Sequence, residues 1–465
     1  MSTKADTRVE RDSMGTMEVP ADAYYGASTQ RAVLNFPISD LRYPRSFIRA
    51  IALVKAYGAE VNKEYGELDA KIADAIHKAA MEVAEGKFDK EFVVDIFQTG
   101  SGTSTNMNAN EVIANRAIEI LGGERGDRNL VHPNDHVNRG NSSNDAIPTA
   151  MHIAALLDMK EYLHPALKGL KVSLEKKSKE FWDVIKTGRT HLQDATPVRL
   201  GQEFLGYAGQ IERAIERLEY AESRLSQVAL GGTAVGTGIN ARKDFAQRVL
   251  AKISKNLGIK VVETTNHFQA QNTLDEVVDA SGALKTIAVS LMKIANDIRW
   301  LGSGPRAGLG EIALPEVQPG SSIMPGKVNP VIAESVCMAC AQVIGNDVVI
   351  NTAGASGNFE LNVMMPIATY DLLQSIMLLA RVAENFQRQC VDGIKATERG
   401  PEMVERGLMM CTALVPEIGY DLSAAIAKEA SKTGETIREV ARKKTELTED
   451  QLKKILDPSK MTEPD

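Results

Sequence analysis

The sequence predicts a mainly all-α protein built around several long helices. Aromatic residues make up only 5% of its 465 residues, whereas hydrophobic residues make up 43%. Ala, Leu, Ile, Val and Met must therefore fill most of the core, which favours packing of helix on helix. From residue 143 to about 396 the sequence shows long helical patterns of apolar residues, and before Asn141 it shows no alternation of strands and helices. Several long helices in succession predict a bundle.

The clearest helical pattern runs through the range 284–301. Its apolar residues form one continuous stripe, which consists of Leu284, Ile287, Ala288, Leu291, Ile294, Ala295, Ile298 and Leu301. The ranges 200–230 and 332–350 follow the same pattern, and the range 146–181 follows it less regularly. We interpret all these stripes as core packing.

The two ends of the chain differ from this middle part. Residues 1–141 mix short helical patterns with loops that contain Gly and Pro, and they predict a mixed, mostly helical domain. Residues 142–396 predict the long-helix bundle. Residues 397–465 predict a small helical domain, because short amphipathic patterns there are separated by Pro416, Gly419 and Gly434.

The net charge of −7 argues against a nucleic acid or an anionic membrane as partner, because both require a basic face. No apolar run is expected to reach the length of a transmembrane helix. The polar start, MSTKADTRVERDSMG, lacks the apolar segment of a secretory signal. These features predict a cytoplasmic protein. An anionic substrate would need positive charge supplied by the site itself.

Four cysteines are too few for a disulfide scaffold in a chain of this length. Cys337 and Cys340 form a CxxC, but they lie in an apolar helical run, and no second ligand pair has the spacing of a metal site. We interpret them as core residues and expect neither a metal nor another cofactor.

Four loop segments between the helical patterns are rich in Gly, Ser, Thr, Asn or His. The first two are residues 100–108 (GSGTSTNMN), before a helix expected from about Ala109, and residues 141–148 (NSSNDAIP). Hydroxyls and backbone N–H groups at a helix start can bind an anion, or they can simply cap the helix. Taken alone, each segment is better explained as a helix cap.

The third segment, residues 188–197 (GRTHLQDATP), places Thr190 and His191 in a polar loop. A histidine in such a loop can act as a general acid or base near neutral pH, although most isolated loop histidines do not.

The fourth segment, residues 319–330 (PGSSIMPGKVNP), combines two Gly with two Pro. This combination is typical of a loop that closes over a ligand. Its polar residues are Ser321, Ser322, Lys327 and Asn329, and the lysine can supply the charge that an anionic substrate needs.

Together and in this order, the four segments resemble the landmark sequences of the fumarase/aspartase superfamily. GSSIMPGKVNP is similar to its signature, and the similarity extends to GSGTSTNMNANE, SSNDAIPT, GRTHLQDATPVRLGQE, ALGGTAVGTGIN and NDIRWLGSGPRAGLGE. The resemblance runs from Tyr24 to the C-terminal domain. It implies a three-domain fumarase/aspartase-like fold, whose central long-helix bundle packs into a tetrameric helical core.

Two positions resemble the class II fumarase branch of this superfamily. His191 stands where aspartate ammonia-lyases typically have Gln, and Gly326 stands where they typically have Ala. The resemblance implies metal-free, reversible hydration of fumarate to (S)-malate, a reaction of the tricarboxylic acid cycle. One alternative is an aspartate ammonia-lyase or another lyase of the superfamily. The other is a non-catalytic structural protein on the same fold, against which the intact residue set argues.

The resemblance also implies roles for individual residues. Ser321 removes the carbon-bound proton, Lys327 stabilises the developing charge, and His191, paired with Glu334, activates the water. The residues implied in binding the small dicarboxylate substrate are Ser101, Thr103, Ser142, Ser143, Asn144, Thr190, Lys327 and Asn329. The implied assembly is a homotetramer with active sites shared between chains, in which one chain supplies Ser321 and another supplies His191.

A second, non-catalytic anion site in related fumarases uses a His-Pro-Asn-Asp loop. By resemblance, its residues here are His132, Asn134 and Asp135. Some members have Arg shortly before this loop, where this sequence has Asn129 with Arg128 beside it. We therefore expect this site to be weaker or differently built.

Overall fold

The computed structural model describes residues 6–464, and helices dominate this range. It contains 17 α-helices and ten short strands, which form five two-stranded sheets. The prediction of a mainly all-α fold is confirmed. The helices before residue 200 are α1 (Ala27–Asn35), α2 (Arg45–Glu64), α3 (Ala70–Ala84), α4 (Thr103–Ile120), α5 (Ser143–Asp158) and α6 (His164–Glu180).

The remaining helices include the four longest in the described chain. They are α7 (Leu200–Leu225), α8 (Phe245–Leu257), α9 (His267–Asn272), α10 (Asp275–Leu301), α11 (Val331–Gly354), α12 (Met365–Gln389), α13 (Arg399–Val404), α14 (Val415–Ile418), α15 (Tyr420–Thr433), α16 (Ile437–Lys444) and α17 (Glu449–Ile455). Short 3₁₀ or π turns occupy Asp89–Glu91, Pro133–Val137, Met159–Leu163, Val391–Gly393, Leu408–Leu414 and Pro458–Met461.

The strands are few and mostly two residues long. They are β1 (Thr7–Asp12), β2 (Gly15–Pro20), β3 (Ile185–Thr190), β4 (Gln193–Arg199), β5 (Gln227–Val228), β6 (Val262–Glu263), β7 (Ile312–Ala313), β8 (Gly357–Asn358), β9 (Leu361–Asn362) and β10 (Lys395–Ala396). The two longer hairpins are β1–β2 and β3–β4, both antiparallel.

Helix α10 confirms the clearest of the predicted stripes, whereas residues of the 332–350 stripe such as Met338 and Val348 are exposed. All eight apolar residues of the 284–301 pattern are buried in α10. Hydrogen bonds tie the long helices to one another: the Ser281 hydroxyl of α10 donates to Asp347 of α11 at 2.8 Å, and the Tyr207 hydroxyl of α7 donates to Asp297 of α10 at 3.1 Å. The Asn346 amide of α11 donates to Ser375 of α12 at 3.0 Å.

The chain divides into two compact units, each made of three separate stretches. The first unit runs up to His164 and includes Glu216–Ala288 and Ala341–Leu379; the second consists of Pro165–Ile215, Val289–Cys340 and the chain from Ala380 onward. The division into three consecutive domains stays a prediction.

In the first unit, α2 packs against α3, α5 and α8, and α4 packs against α1 and α3. In the second unit, α13 packs against β3, and the short helices near the C-terminus enclose a small apolar core. That core includes Met410, Leu414, Ile426, Val440 and Leu452. In each unit, the loops therefore connect helices that pack against one another.

One expectation about membranes was wrong. Helix α11 is long and apolar enough to cross a bilayer when judged by length and composition alone. Core helices of soluble proteins meet the same criterion, and 39% of this apolar stretch is buried. The apolar sequence of the helix also contains polar residues, including Gln342, Asn346, Asp347 and Asn351. These side chains, two of which bond to other helices, favour packing within protein.

Candidate active site

The first candidate segment forms a cluster of hydroxyl groups. Helix α4 begins at Thr103 and not near Ala109, so the expected helix start was wrong by six residues. The Ser101 and Thr103 hydroxyl oxygens lie 2.7 Å apart, and the Thr103 oxygen lies 2.7 Å from the Ser143 oxygen. We call Ser101, Thr103 and Ser143 the hydroxyl cluster. It joins the N-termini of α4 and α5, where backbone dipoles favour an anion.

A glycine makes this close approach feasible. Gly102 has φ of +73°, in the left-handed region, and it immediately precedes the first residue of α4. A Cβ atom at this position would lie 2.9 Å from the Ile147 side chain of α5. Glycine therefore meets both the backbone and the packing requirements of the cluster.

The second candidate segment starts α5 with a capping box. The Asn144 backbone N–H donates to the Ser142 hydroxyl, and the Ser142 N–H donates to the Asp145 carboxylate at 2.8 Å. The other Asp145 oxygen accepts from the N–H groups of Gly231 and Thr233 at 3.1 and 2.9 Å. Burial raises the pKa of this carboxyl, against the effect of these hydrogen bonds. Asp145 thus holds Ser142 and the 229–240 loop together.

The third candidate segment is the turn of the β3–β4 hairpin. Thr190 pairs with Gln193, which leaves His191 and Leu192 as a two-residue turn with φ of +56° and +60°. Non-glycine residues in this conformation cost on the order of 1–3 kcal/mol each. The turn exposes His191, and Leu192 is 66% exposed. The hairpin therefore presents a histidine at a strained tip.

An ion pair anchors the strand that leads to this turn. The Arg189 guanidinium makes two hydrogen bonds, of 3.0 and 2.8 Å, to the buried carboxylate of Glu311. The buried Lys186 ammonium lies 3.2 Å from the same carboxylate. Two parallel hydrogen bonds between a guanidinium and a carboxylate fix the relative orientation of the two groups as well as their separation. It orients the residue directly before Thr190 and His191.

The fourth candidate segment, residues 319–330, is called the reactive loop below. The Ser321 hydroxyl oxygen accepts hydrogen bonds from the backbone N–H groups of Ile323 and Met324, at 3.2 and 2.9 Å. The Gly320 N–H donates to the Lys327 carbonyl at 2.7 Å, and the Asn329 amide donates to the Gly320 carbonyl at 2.6 Å. These bonds shape the loop around Ser321 and point two donors at its oxygen.

The predicted residues fall into two groups. The structure brings Ser101, Thr103 and Ser143 into hydrogen-bonding distance within the first unit, beside Ser142 and Asn144. The second unit carries Thr190, His191, Ser321, Lys327, Asn329 and Glu334. Glu334 lies in the first turn of α11. Across residues 6–464, no hydrogen bond within one chain joins His191 to Glu334 or to Ser321.

The predicted second anion site contains two histidines that hydrogen-bond within their own loop. His132 accepts the N–H groups of Asn134 and Asp135 at Nδ1, and the His132 N–H donates to Nδ1 of His136. Burial lowers the pKa of both imidazoles. The two N–H groups donated to Nδ1 of His132 fit the tautomer that carries its proton on Nε2.

Arg128 supplies positive charge near this histidine. Its guanidinium charge contributes to the lowered pKa of His132 and lies 3.8 Å from the buried Glu111 carboxylate. The backbone N–H of Asn129, at the position where some family members have Arg, donates to the Asp127 carboxylate at 3.1 Å. The second anion site at His132, Asn134 and Asp135 stays a prediction.

Comparison with known proteins identifies the family. Residues 15–345 match the family described as lyase, and residues 410–463 match the fumarase C C-terminus. The chain is 52% identical to a class II fumarate hydratase of Bordetella parapertussis, over 98% of this chain and 99% of that protein. The chain belongs to the class II fumarase family. The reactive loop and the hydroxyl cluster thus belong to a chain of this family.

Further relatives extend the family beyond bacteria. The mitochondrial fumarate hydratase of Rattus norvegicus is 52% identical over the whole chain and 92% of its own length. A recombinant class II fumarase from Schistosoma mansoni superposes with a TM-score of 0.96 at 39% identity, covering 98% of this chain and 99% of that one. The fold of this family member is therefore that of the solved enzyme over nearly its full length.

Two buried charged residues beside the candidate site were missed from the sequence. Asp145 is one, although the pattern Ser-x-x-Asp before an apolar run is a capping-box signal that indicates it. Lys55 is the other; it is a single lysine within the apolar run AIALVKAYGAEV, and no sequence pattern marks it.

The described residues contain no group of three or more His, Cys, Asp or Glu that could hold a metal ion.

Proposed function

We propose that this protein catalyses the reversible hydration of fumarate to (S)-malate. Its membership in the class II fumarase family supports this activity, as do relatives named fumarate hydratase at 52% identity over the whole chain. The observation that carries the mechanism is the Ser321 hydroxyl, whose oxygen accepts two backbone N–H groups in the reactive loop.

Ser321 acts as the base in the dehydration direction. In its alkoxide form it takes the proton from the carbon beside one carboxylate of malate and becomes the hydroxyl, while the electron pair of the C–H bond moves into that carboxylate to form an aci-carboxylate. A serine hydroxyl is a weak base, so its alkoxide needs stabilisation; the N–H groups of Ile323 and Met324 are aimed to provide it. Lys327 and Asn329 stabilise the charge that collects on the carboxylate.

His191, oriented by Glu334, handles the water at the other carbon. It gives a proton to the departing hydroxyl in dehydration, and it removes a proton from the attacking water in hydration. The hydroxyl cluster, with Ser142, Asn144 and Thr190, binds the substrate's carboxylates. This division separates binding by helix N-termini from proton transfer by the loop and the hairpin.

The working form in this proposal is a homotetramer with shared active sites. A helix of 27 residues, like α10, spans roughly 40 Å, so its two ends cannot serve one small pocket. Exposed apolar residues also lie along the long helices, where a soluble protein is expected to cover them; they include Leu205, Val289, Trp300, Met338 and Val348. Ser321, Lys327 and Asn329 then come from one chain, and His191 comes from another.

An absorbance assay tests the activity. The purified protein is incubated separately with malate, aspartate and argininosuccinate, and the formation of fumarate is followed. We expect fumarate from malate alone, in the presence of a chelator as well as in its absence. Fumarate formed from aspartate would instead assign the protein to the aspartate ammonia-lyases, and activity that a chelator abolishes and a divalent ion restores would contradict the metal-free mechanism.

We also propose a cytoplasmic location and a place in the tricarboxylic acid cycle. Bacterial relatives named class II fumarate hydratase support the cytoplasmic location, and relatives named mitochondrial fumarate hydratase give the alternative. Fractionation of the source cells, with this protein detected by antibody, tests the location.

A further inference from the structure

Lys55 is a buried cation that the proposed mechanism does not use. It lies in the middle of α2, and none of its surface is exposed. Its ammonium donates to the side-chain oxygens of Asn138 and Asn141, both at 2.7 Å. Across residues 6–464 it forms no ion pair with a carboxylate. Burial of an ammonium without such a partner is costly, so the residue calls for an explanation.

The two asparagines close a single turn. The Asn138 amide donates to the Asn141 carbonyl at 2.9 Å, and the Asn141 N–H donates to the Asn138 carbonyl at 3.3 Å. Gly140, with φ of +80°, allows the chain to turn between them. The Lys55 ammonium therefore hydrogen-bonds to the first and the last residue of this turn. The next residue along the chain is Ser142, the N-cap of α5.

The other groups near the ammonium are amides and one carboxylate. Asn106 and Asn110 of α4 donate to the same Asn138 oxygen, at 3.1 and 3.2 Å. The titratable group whose charge acts on Lys55 within the described chain is Asp145 of α5. Burial lowers the pKa of Lys55 to about 7, and Asp145 opposes this change. The lysine thus connects α2, α4 and the start of α5 through neutral acceptors.

We propose that Lys55 is a positioning residue, which holds the Asn138–Asn141 turn so that Ser142, Ser143 and Asn144 face a bound dicarboxylate. The identity of the ligand rests on the proposed function. The ammonium of Lys55 also offsets the charge of the Asp145 carboxylate beside the proposed anion site.

A purely structural role leads to a different expectation. An apolar side chain of similar length would fill the same space without the cost of burying a charge. If Lys55 served only stability, its replacement would lower stability and binding together. If it serves positioning, stability is kept or increased while ligand binding is lost.

The test compares Lys55→Met with Lys63→Met. Lys63 lies on the same helix but is partly exposed and pairs with Asp74 at 2.6 Å. Titration calorimetry with succinate, a dicarboxylate that cannot be hydrated, measures binding without turnover. We expect the Kd of Lys55→Met to rise about tenfold or more, the change expected when a hydrogen bond involving a charged group is lost. Its Tm should equal or exceed that of the wild type, and Lys63→Met should bind as the wild type does.

The kinetics and pH dependence give independent readouts. In the malate assay, Lys55→Met should raise KM in parallel with Kd and change kcat only a few-fold. Because the folded-state pKa of about 7 lies below the ordinary value, the unfolded chain binds this proton more tightly. The free energy of unfolding should therefore rise with pH from about 7 to 10 through this group, and the Met variant should lose that rise.

A double-mutant cycle tests whether the effect passes through the turn. Asn141→Ala removes one acceptor of Lys55 and provides the test by itself if Lys55→Met does not fold. Each substitution removes the same hydrogen bond, from the Lys55 ammonium to the Asn141 side chain. The Kd of the double variant for succinate should therefore be no higher than the higher Kd of the two single variants. Additive losses, or unchanged succinate affinity in a folded Lys55→Met or Asn141→Ala variant, would overturn the positioning role. Succinate binding by a wild type that does not hydrate fumarate would overturn the proposed function alone.

Discussion

The hydroxyl cluster and the reactive loop are built in opposite ways. Ser101 and Ser143 are buried, and the cluster is bonded from side chain to side chain at the starts of two helices. The reactive loop is largely exposed and hydrogen-bonded mainly within itself; Ile323 is 84% exposed. The proposed binding groups are thus held in place by packed helices, whereas the proposed base lies on an exposed loop whose shape its own hydrogen bonds define.

The His191 turn shares this exposure and adds strain. Its two left-handed residues are held by the β3–β4 ladder and the Arg189–Glu311 pair. Strain kept in a conformation that the surrounding structure enforces is typical of functional sites. The comparison predicts that changes in the loop and the turn affect the chemical step, whereas changes in the cluster affect substrate affinity.

The largest effect is expected at the proposed base. Ser321→Ala should lower kcat by about a hundredfold or more, since it removes the group that accepts the carbon-bound proton, while KM changes little. Steady-state kinetics with malate measure both constants. Ser322→Ala is the matched control on the neighbouring residue, and it should keep most of the activity. Near-normal kcat in folded Ser321→Ala would remove this serine from its role.

Mixed oligomers test whether the loop and the turn of one site come from different chains. Ser321→Ala and His191→Asn, each inactive alone, are unfolded together in equal amounts and refolded. With one residue supplied by each of two chains, roughly a quarter of the sites should be intact, because the two donors are drawn independently. Activity is compared with that of each parent refolded alone. Mixed tetramers that stay as inactive as the parents would contradict shared sites.

A smaller effect is expected in the hydroxyl cluster. Thr103→Val keeps the shape of the side chain but removes the oxygen that lies between Ser101 and Ser143. KM for malate should rise about tenfold with a smaller change in kcat, as expected for one lost hydrogen bond to a charged ligand. Ser104→Ala serves as control, because its hydroxyl bonds to Thr99 in the loop before α4 and not to the hydroxyl cluster. A fall in kcat with constant KM would place Thr103 in the chemical step.

The smallest effect concerns the accessibility of the reactive loop to protease. Limited proteolysis should cleave the exposed 319–328 stretch in the free protein, and saturating succinate should slow this cleavage several-fold if the loop closes on the ligand. Mass spectrometry of the fragments identifies the cut, and cleavage in an exposed segment outside the site provides the reference. Equal cleavage rates with and without succinate would argue against closure.

The sequence by itself determined the long helices and the chemical character of the loops. Apolar spacing is a local property, and it marked the buried face of α10 residue by residue. The Gly, Pro and Ser content of residues 319–330 likewise indicated a shaped loop, because glycine and proline act on their own backbone. The family resemblance then named the residues expected at the site.

Only the tertiary structure decided how the binding groups are held. The start of α4 at Thr103 depends on Gly102 fitting against Ile147 of another helix, which no local pattern contains. Asp145 joins the N–H groups of Gly231 and Thr233, and Lys55 joins Asn141, across more than 80 residues of chain. Hydrogen bonds between such distant residues form only after the helices pack, and burial then makes each unpaired group costly.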